Sequence, residues 1–370
     1  MTISLARAAV ACGAVSLGLL LVVTGCESVI GADFGDTQQV SCAHAAPPGP
    51  PTVKNATGEK GFTAATYALD MGDASKDGPA RYSGYGFDLD NACTNLSQRS
   101  TCKGATWLEP EQTDGADGRD NGIGKLIAAQ ETFFGLVVIK SDDLTARIQS
   151  EQHAPLLMLR VSGYSGFAGD DKVTVEWFTP ARPEKPADIG WDKPEHPVAI
   201  DSRSTDPTTS TPTALHVDRN AYVNNYTLVA KFDGDPSFRL ANVAFKLHDV
   251  MLVAKMNREG TNFEEGMIAG RVAQSELFSS LPEFTQFITG VPICTDNPNY
   301  PNVKKYFCIF SDVRVADTNA AGDCDGLSFA VKFQTRNVTL GDVVDDASLP
   351  MCPPASDTSH DTCATAPANL

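Results

Sequence analysis

Ten cysteines in 370 residues constrain this chain more than any other feature. Thiols in such number belong to an oxidising compartment, where each must find a partner. The fold then has to bring distant segments within bonding reach. Eight lie beyond the first apolar segment: Cys42, Cys93, Cys102, Cys294, Cys308, Cys324, Cys352 and Cys363. An even number predicts a full set of disulfides, and spacing alone does not fix their connectivity. Short loops close at the lowest entropic cost. On that ground the expected pairs are Cys93–Cys102, Cys294–Cys308 and Cys352–Cys363, leaving Cys42–Cys324. A zinc site would want Cys-x-x-Cys spacing, and none occurs.

The N-terminus reads as an export address. Arg7 is the only charged side chain before Cys26, and an uncharged apolar run extends from Ala8 to Gly25. A cationic start, an apolar middle and a small-residue end make a secretory signal. Gly13, Ser16, Gly18 and Thr24 dilute the run, which argues against a membrane span. Its end, Val23-Thr24-Gly25-Cys26, resembles the bacterial lipobox. That resemblance implies a diacylglyceryl group on Cys26 and cleavage before it. Glu27 stands where an Asp would favour inner-membrane retention, so the resemblance implies the outer membrane, at its periplasmic face or the cell surface.

Composition excludes some classes. With 42% hydrophobic and 20% charged residues, the chain can bury a core and is not wholly disordered. A net charge of −17 is the wrong sign for a nonspecific nucleic-acid binder, which must displace phosphate counterions. The expected organisation is a signal peptide over 1–25, a lipidated Cys and Pro-rich tether over 26–56, one domain over 57–345, and an acidic disulfide-containing tail over 346–370. A Pro-rich insertion, 179–213, interrupts the domain. Its prolines cannot donate to a sheet ladder. Trp191 within it either pins the loop or serves as a ligand platform, and pinning is the commoner use.

Alternation and β-branched content predict strands over 62–69, 133–140, 156–164, 172–178, 222–232, 237–240, 242–256, 267–273, 304–315 and 327–333. A phase slip at His248-Asp249 predicts a bulge or turn. Helical spacing appears over 123–134. Residues 274–281 and 283–288 read as two short helices broken at Pro282. Many strands at short intervals predict an all-β chain: a β-sandwich or jelly roll with one or two short helices and long loops.

The densest functional-looking cluster runs from Asp88 to Asn121. Carboxylates interleaved with glycine suit calcium, which takes six to eight oxygens. The stretch Asp114-Gly115-Ala116-Asp117-Gly118-Arg119-Asp120-Asn121 resembles the calcium loops of thrombospondin type 3 repeats over those eight residues, with the spacing displaced by one. The expected ligands are Asp88, Asp90, Asp114, Asp117 and Asp120, with a Cys93–Cys102 bridge holding the halves together. The competing reading is structural: Asp120 or Asn121 caps a helix beginning near Gly122, and the Asp-Gly pairs form turns. No catalytic motif is found. Ser162-Gly163-Tyr164-Ser165-Gly166 fails as a nucleophile elbow because Phe167 stands where Gly is required. The histidines show no metal spacing, and there is no phosphate loop or dinucleotide fingerprint.

Beyond these motifs, the mature chain resembles a group of large secreted lipoproteins of myxobacteria. The residues that carry the likeness are the lipobox, FTAATYALDMG, GFDLD, Cys93, Cys102, DGADGRDNGIG, GYSGFAGDDKVTVEWF, MIAGRVA and CDGLSFAVKF. The resemblance implies a location and a build, and no reaction. The expectation is a non-enzymatic, lipid-anchored envelope protein with a binding or structural role, whose partners are the membrane and a glycan or another envelope protein. The alternative is a calcium-dependent, lectin-like carbohydrate-binding module. A secreted hydrolase comes third and would need Asp/Glu or Ser/His pairs converging in a cleft.

Overall fold

The computed structural model describes residues 42–367 apart from 54–57, 74–79, 96–99, 110–111, 134–139, 183–190, 192–196, 316–321 and 347–351. The signal peptide, Cys26 and most of the strand expected over 133–140 lie outside the described residues. Cys42–Leu370 forms one compact unit.

The chain is all-β in its framework. β1 (Lys60–Asp70), β2 (Met158–Tyr164), β3 (Gly169–Phe178), β5 (His216–Asn224), β6 (Thr227–Lys231), β9 (His248–Met256), β10 (Phe263–Ala273) and β11 (Gly326–Asn337) form one antiparallel sheet in sequence order. β1 pairs with both β2 and β11, so the sheet closes as a barrel and not as the two facing sheets of a sandwich or jelly roll. Strand alternation sends Val173, Val175 and Trp177 of β3 inward, with Val250, Leu252 and Ala254 of β9. This apolar interior is the reverse of the polar-in, apolar-out alternation of a membrane-spanning barrel.

Two smaller sheets lie outside the barrel. β4 (Pro197–Asp201) pairs in parallel with β12 (Thr339–Val344). With Val198 and Ile200 it covers Ala65, Met158 and Phe178 on the outer face of β1–β3. The insertion thus supplies a strand, with Pro197 at its first position, where no ladder donor is lost. Trp191 is a pin: its indole N–H donates to Ile148 O at 3.1 Å, and its ring meets Tyr67 edge-on at 5.2 Å. β7 (Ser237–Leu240) and β8 (Val243–Lys246) form a hairpin.

Several expectations need correction. The strand expected over 222–232 is a hairpin, β5–β6, folded at Asn225-Tyr226 with φ of 51° and 60°. Two residues with positive φ make the turn whose twist matches antiparallel strands. Among the described residues there are four α-helices: α1 (Gly122–Phe133), α2 (Ser141–Gln149), α3 (Gln274–Thr289) and α4 (Tyr300–Ile309). α4 replaces part of the strand expected over 304–315. Tyr300, Val303 and Cys308 bury one helical face, and Pro301 starts the helix where its missing N–H costs nothing. α3 is a single helix despite Pro282. Proline cannot donate to the carbonyl four residues back. That carbonyl, Phe278 O, instead accepts from Thr358 Oγ1 of the C-terminal tail at 2.6 Å. The phase slip at His248-Asp249 is real: Asp249 has φ of 50°, and the β9–β10 register shifts between Ala269 and Arg271.

The disulfides are Cys42–Cys93, Cys102–Cys324, Cys294–Cys352 and Cys308–Cys363, with Cα atoms 5.1 to 6.2 Å apart. None matches the pairing expected from short loops. Each joins segments that the folded barrel and helices have already placed together, so closure entropy does not choose the partner.

Candidate functional site

The outer face of β9–β11 carries small or unbranched side chains, among them Met251, Met267, Ala269 and Ala330. The loop Tyr85–Asp90 lies on this face and buries Tyr85, Phe87 and Leu89 against it. Gly86 permits the close approach: its φ is +101°, and a Cβ there would sit 2.4 Å from Asp120 O. Gly118, with φ of +71°, faces Cys93 Sγ and Asp88 Oδ2 in the same way.

These contacts bring Asp88, Asp90 and Asp120 together, with carboxylate oxygens within 4.8 Å of one another. Asp120 is 2% exposed, and its Oδ2 accepts Leu89 N at 2.7 Å. Asp90 accepts Ala92 N at 3.0 Å and Thr101 Oγ1 at 2.6 Å. Asp88 accepts Ala92 N at 3.2 Å and pairs with His44 Nδ1. Asp114 stands behind them, accepting Thr94 N at 2.5 Å. Asp117 does not join. It is exposed, with φ of +59°, and contributes only its carbonyl, to Ala45 N at 2.7 Å.

The sequence missed a further member, Asp312. It is buried shortly after α4, beside β11, with Oδ1 accepting Ser328 N at 2.8 Å and Oδ2 accepting Ser328 Oγ at 2.5 Å. No local signal marks it, because it reaches the cluster from almost 200 residues downstream of Asp114. His44 was also missed. It comes from the segment expected to be tether, of which residues 42–51 lie against the folded unit: Tyr222 Oη donates to Pro48 O at 2.5 Å and Asn224 Nδ2 to Gly49 O at 2.8 Å.

The electrostatics are those of desolvated like charges. Burial pushes the Asp114 carboxyl up to about 7, with Asp90 and Asp312 adding to it and the Thr94 N–H and Lys125 opposing. Burial likewise raises Asp120 well above the carboxylate range, reinforced by Asp312, Asp90 and Asp114. Asp90 and Asp312 are raised for the same first reason. Lys125 acts on both Asp114 and Asp312, and its Nζ donates to Thr113 O. Arg271 and Arg119 serve the loop carbonyls, Leu89 O and Gly86 O, instead of the acids.

Capping operates beside this cluster. Asn121 Oδ1 accepts Gly124 N at 3.0 Å, so Asn121, and not Asp120, caps α1. The expected Cys93–Cys102 bridge is replaced by two. Cys42–Cys93 ties the His44 segment to the loop, and Cys102–Cys324 ties the loop to the approach to β11. Among the described residues, no helix is long and apolar enough to cross a membrane. Compared with known protein families, curated proteins and solved structures, the chain matches none.

Proposed function

We propose that this is a non-enzymatic cell-envelope protein, anchored through lipid on Cys26 in the outer membrane, with a binding or structural role and a calcium ion held in its acidic cluster. The observation that carries the calcium reading is the convergence of Asp88, Asp90 and Asp120 within 4.8 Å. The donors fit a hard divalent cation: all are carboxylate oxygens, the kind calcium prefers. Backbone carbonyls and water would complete the shell. A cation there would favour the ionised form of acids whose pKa burial raises. Lipid anchoring rests on the Val23-Thr24-Gly25-Cys26 motif alone.

Thermal melting of the oxidised chain from Glu27 onward tests the ion. Millimolar calcium should raise the melting temperature by a few degrees over chelator. Asp120→Asn and Asp90→Asn should abolish that shift, whereas Asp117→Asn should keep it. No shift in the unmodified chain would reduce the cluster to protonated structural acids. Glycan retention that depends on calcium would move the protein to the lectin-like class. Metabolic labelling with a fatty acid, lost in Cys26→Ser, tests the anchor.

A further inference from the structure

A second feature lies at the barrel end where β10 stops and β11 begins. A partly open cavity of about 80 Å³ is lined there by apolar side chains. Val272 and Phe329 come from the barrel, Ile127 from α1, Leu281 and Phe284 from α3, and Phe307 from α4. Protein interiors leave few voids larger than a water molecule. This one exceeds the roughly 10–15 Å³ that a water needs, but a water also needs two to four polar partners, and the lining side chains are all apolar. Its natural content is hydrocarbon. A dry cavity of about 150 Å³ takes up benzene, so 80 Å³ suits something narrower than a ring.

The cavity is only partly closed. Phe284 and Phe307 are only half-buried, while the other four named residues are buried. Beside Phe284, α3 lacks one intrahelical hydrogen bond: Pro282 makes no bond to Phe278 O, and Thr358 of the tail holds that carbonyl instead.

We infer that this cavity binds the end of an alkyl chain, entering between Phe284 and Phe307, with the polar head left outside. Calorimetric titration of the oxidised chain from Glu27 onward with hexanoate, octanoate, decanoate and dodecanoate, each below its micelle concentration, tests this. Affinity should rise about fourfold per added methylene and then level off once the cavity is full. Dihexanoyl phosphatidylcholine, also monomeric, separates two sources of the chain. Affinity equal to or above that of hexanoate points to a phospholipid tail, and weaker affinity to a free fatty acid. Ile127→Phe should fill the cavity, weaken decanoate at least tenfold and leave the melting temperature unchanged or higher. If that variant melts lower, Val272→Leu is the smaller fill. No binding at millimolar decanoate, or undiminished binding by a stably folded filled variant, would overturn the inference.

Discussion

The acid cluster and the apolar cavity share one wall and solve opposite problems. β11 separates them by alternation: Ser328 faces Asp312 and Ala330 faces the loop at Gly86, and Phe329 between them faces the cavity. β10 repeats the division, with Arg271 donating to Leu89 O and Val272 lining the cavity. So does α1, whose first residue, Gly122, donates to Ser328 Oγ at 2.6 Å while Ile127 lines the cavity. On the acid side the described carboxylates of Asp90, Asp120 and Asp312 are each held by N–H or O–H donors, because an unpaired buried charge is costly. On the cavity side nothing directional operates, and space is left over. Polar packing must be complete; apolar packing tolerates a gap.

Breaking the covalent ties on each side gives the largest expected effects. Replacing Cys102 and Cys324 by serine should cost about 5 kcal/mol, and replacing Cys308 and Cys363 about 4 kcal/mol, because the first pair closes the longer loop. Urea unfolding of the two double variants measures the difference, and a reversed order would show that native packing outweighs loop length.

Single substitutions across the shared wall come next. Phe329→Ala should cost about 3 kcal/mol by enlarging the cavity. Ser328→Val should cost about 2 kcal/mol by leaving Asp312 and Gly122 N short of partners. Equal urea midpoints for Ser328→Val and the unmodified chain would show that the acid side is held some other way.

Acidity sharpens the contrast further. Carboxyls raised in the fold stabilise it below their unfolded pKa, and that contribution disappears as pH rises through the folded value, about 7 for Asp114. In chelator the melting temperature should therefore fall between pH 6.5 and 8, and Asp114→Asn should flatten the slope. Calcium, favouring the ionised acids, should reverse it. His153 acts in the opposite sense at lower pH. Burial, then Arg147, lowers it to about 4, so its contribution is present above 6.5 and disappears as pH falls from 6.5 through about 4. His153→Gln should remove this acid limb.

The smallest effect belongs to the tail. Thr358→Val leaves Phe278 O without its donor and should cost about 1 kcal/mol.

Legibility in the sequence followed the range of the interactions. The β2–β3 hairpin was readable because Val173, Val175 and Trp177 alternate beside a Gly/Ser/Asp turn. The β5–β6 hairpin was not, because Asn225-Tyr226 lacks the glycine that usually marks such a turn. α4 hid behind its aromatic and β-branched content, which mimics a strand. Asp88, Asp90, Asp114 and Asp120 could be grouped because glycine and short spacing keep them near one another. Asp117, in the same motif, points away at positive φ, and Asp312 arrives only through the β11 approach. The disulfides failed for the same reason: each reports a tertiary neighbour.

Barrel closure sets the order in which this molecule can come into being. β1 is the first and β11 the last of the barrel strands to be made, yet they are hydrogen-bonded neighbours over Ala64–Asp70 and Lys332–Asn337. Until β11 emerges, β1 and β10 each present a bare edge of unpaired N–H and C=O groups, the template for mispairing. Contacts this distant in sequence also form slowly. A product that lacks β11 therefore leaves an open, adhesive sheet, and a growing chain of this kind must be kept apart from its copies until β11 has been made.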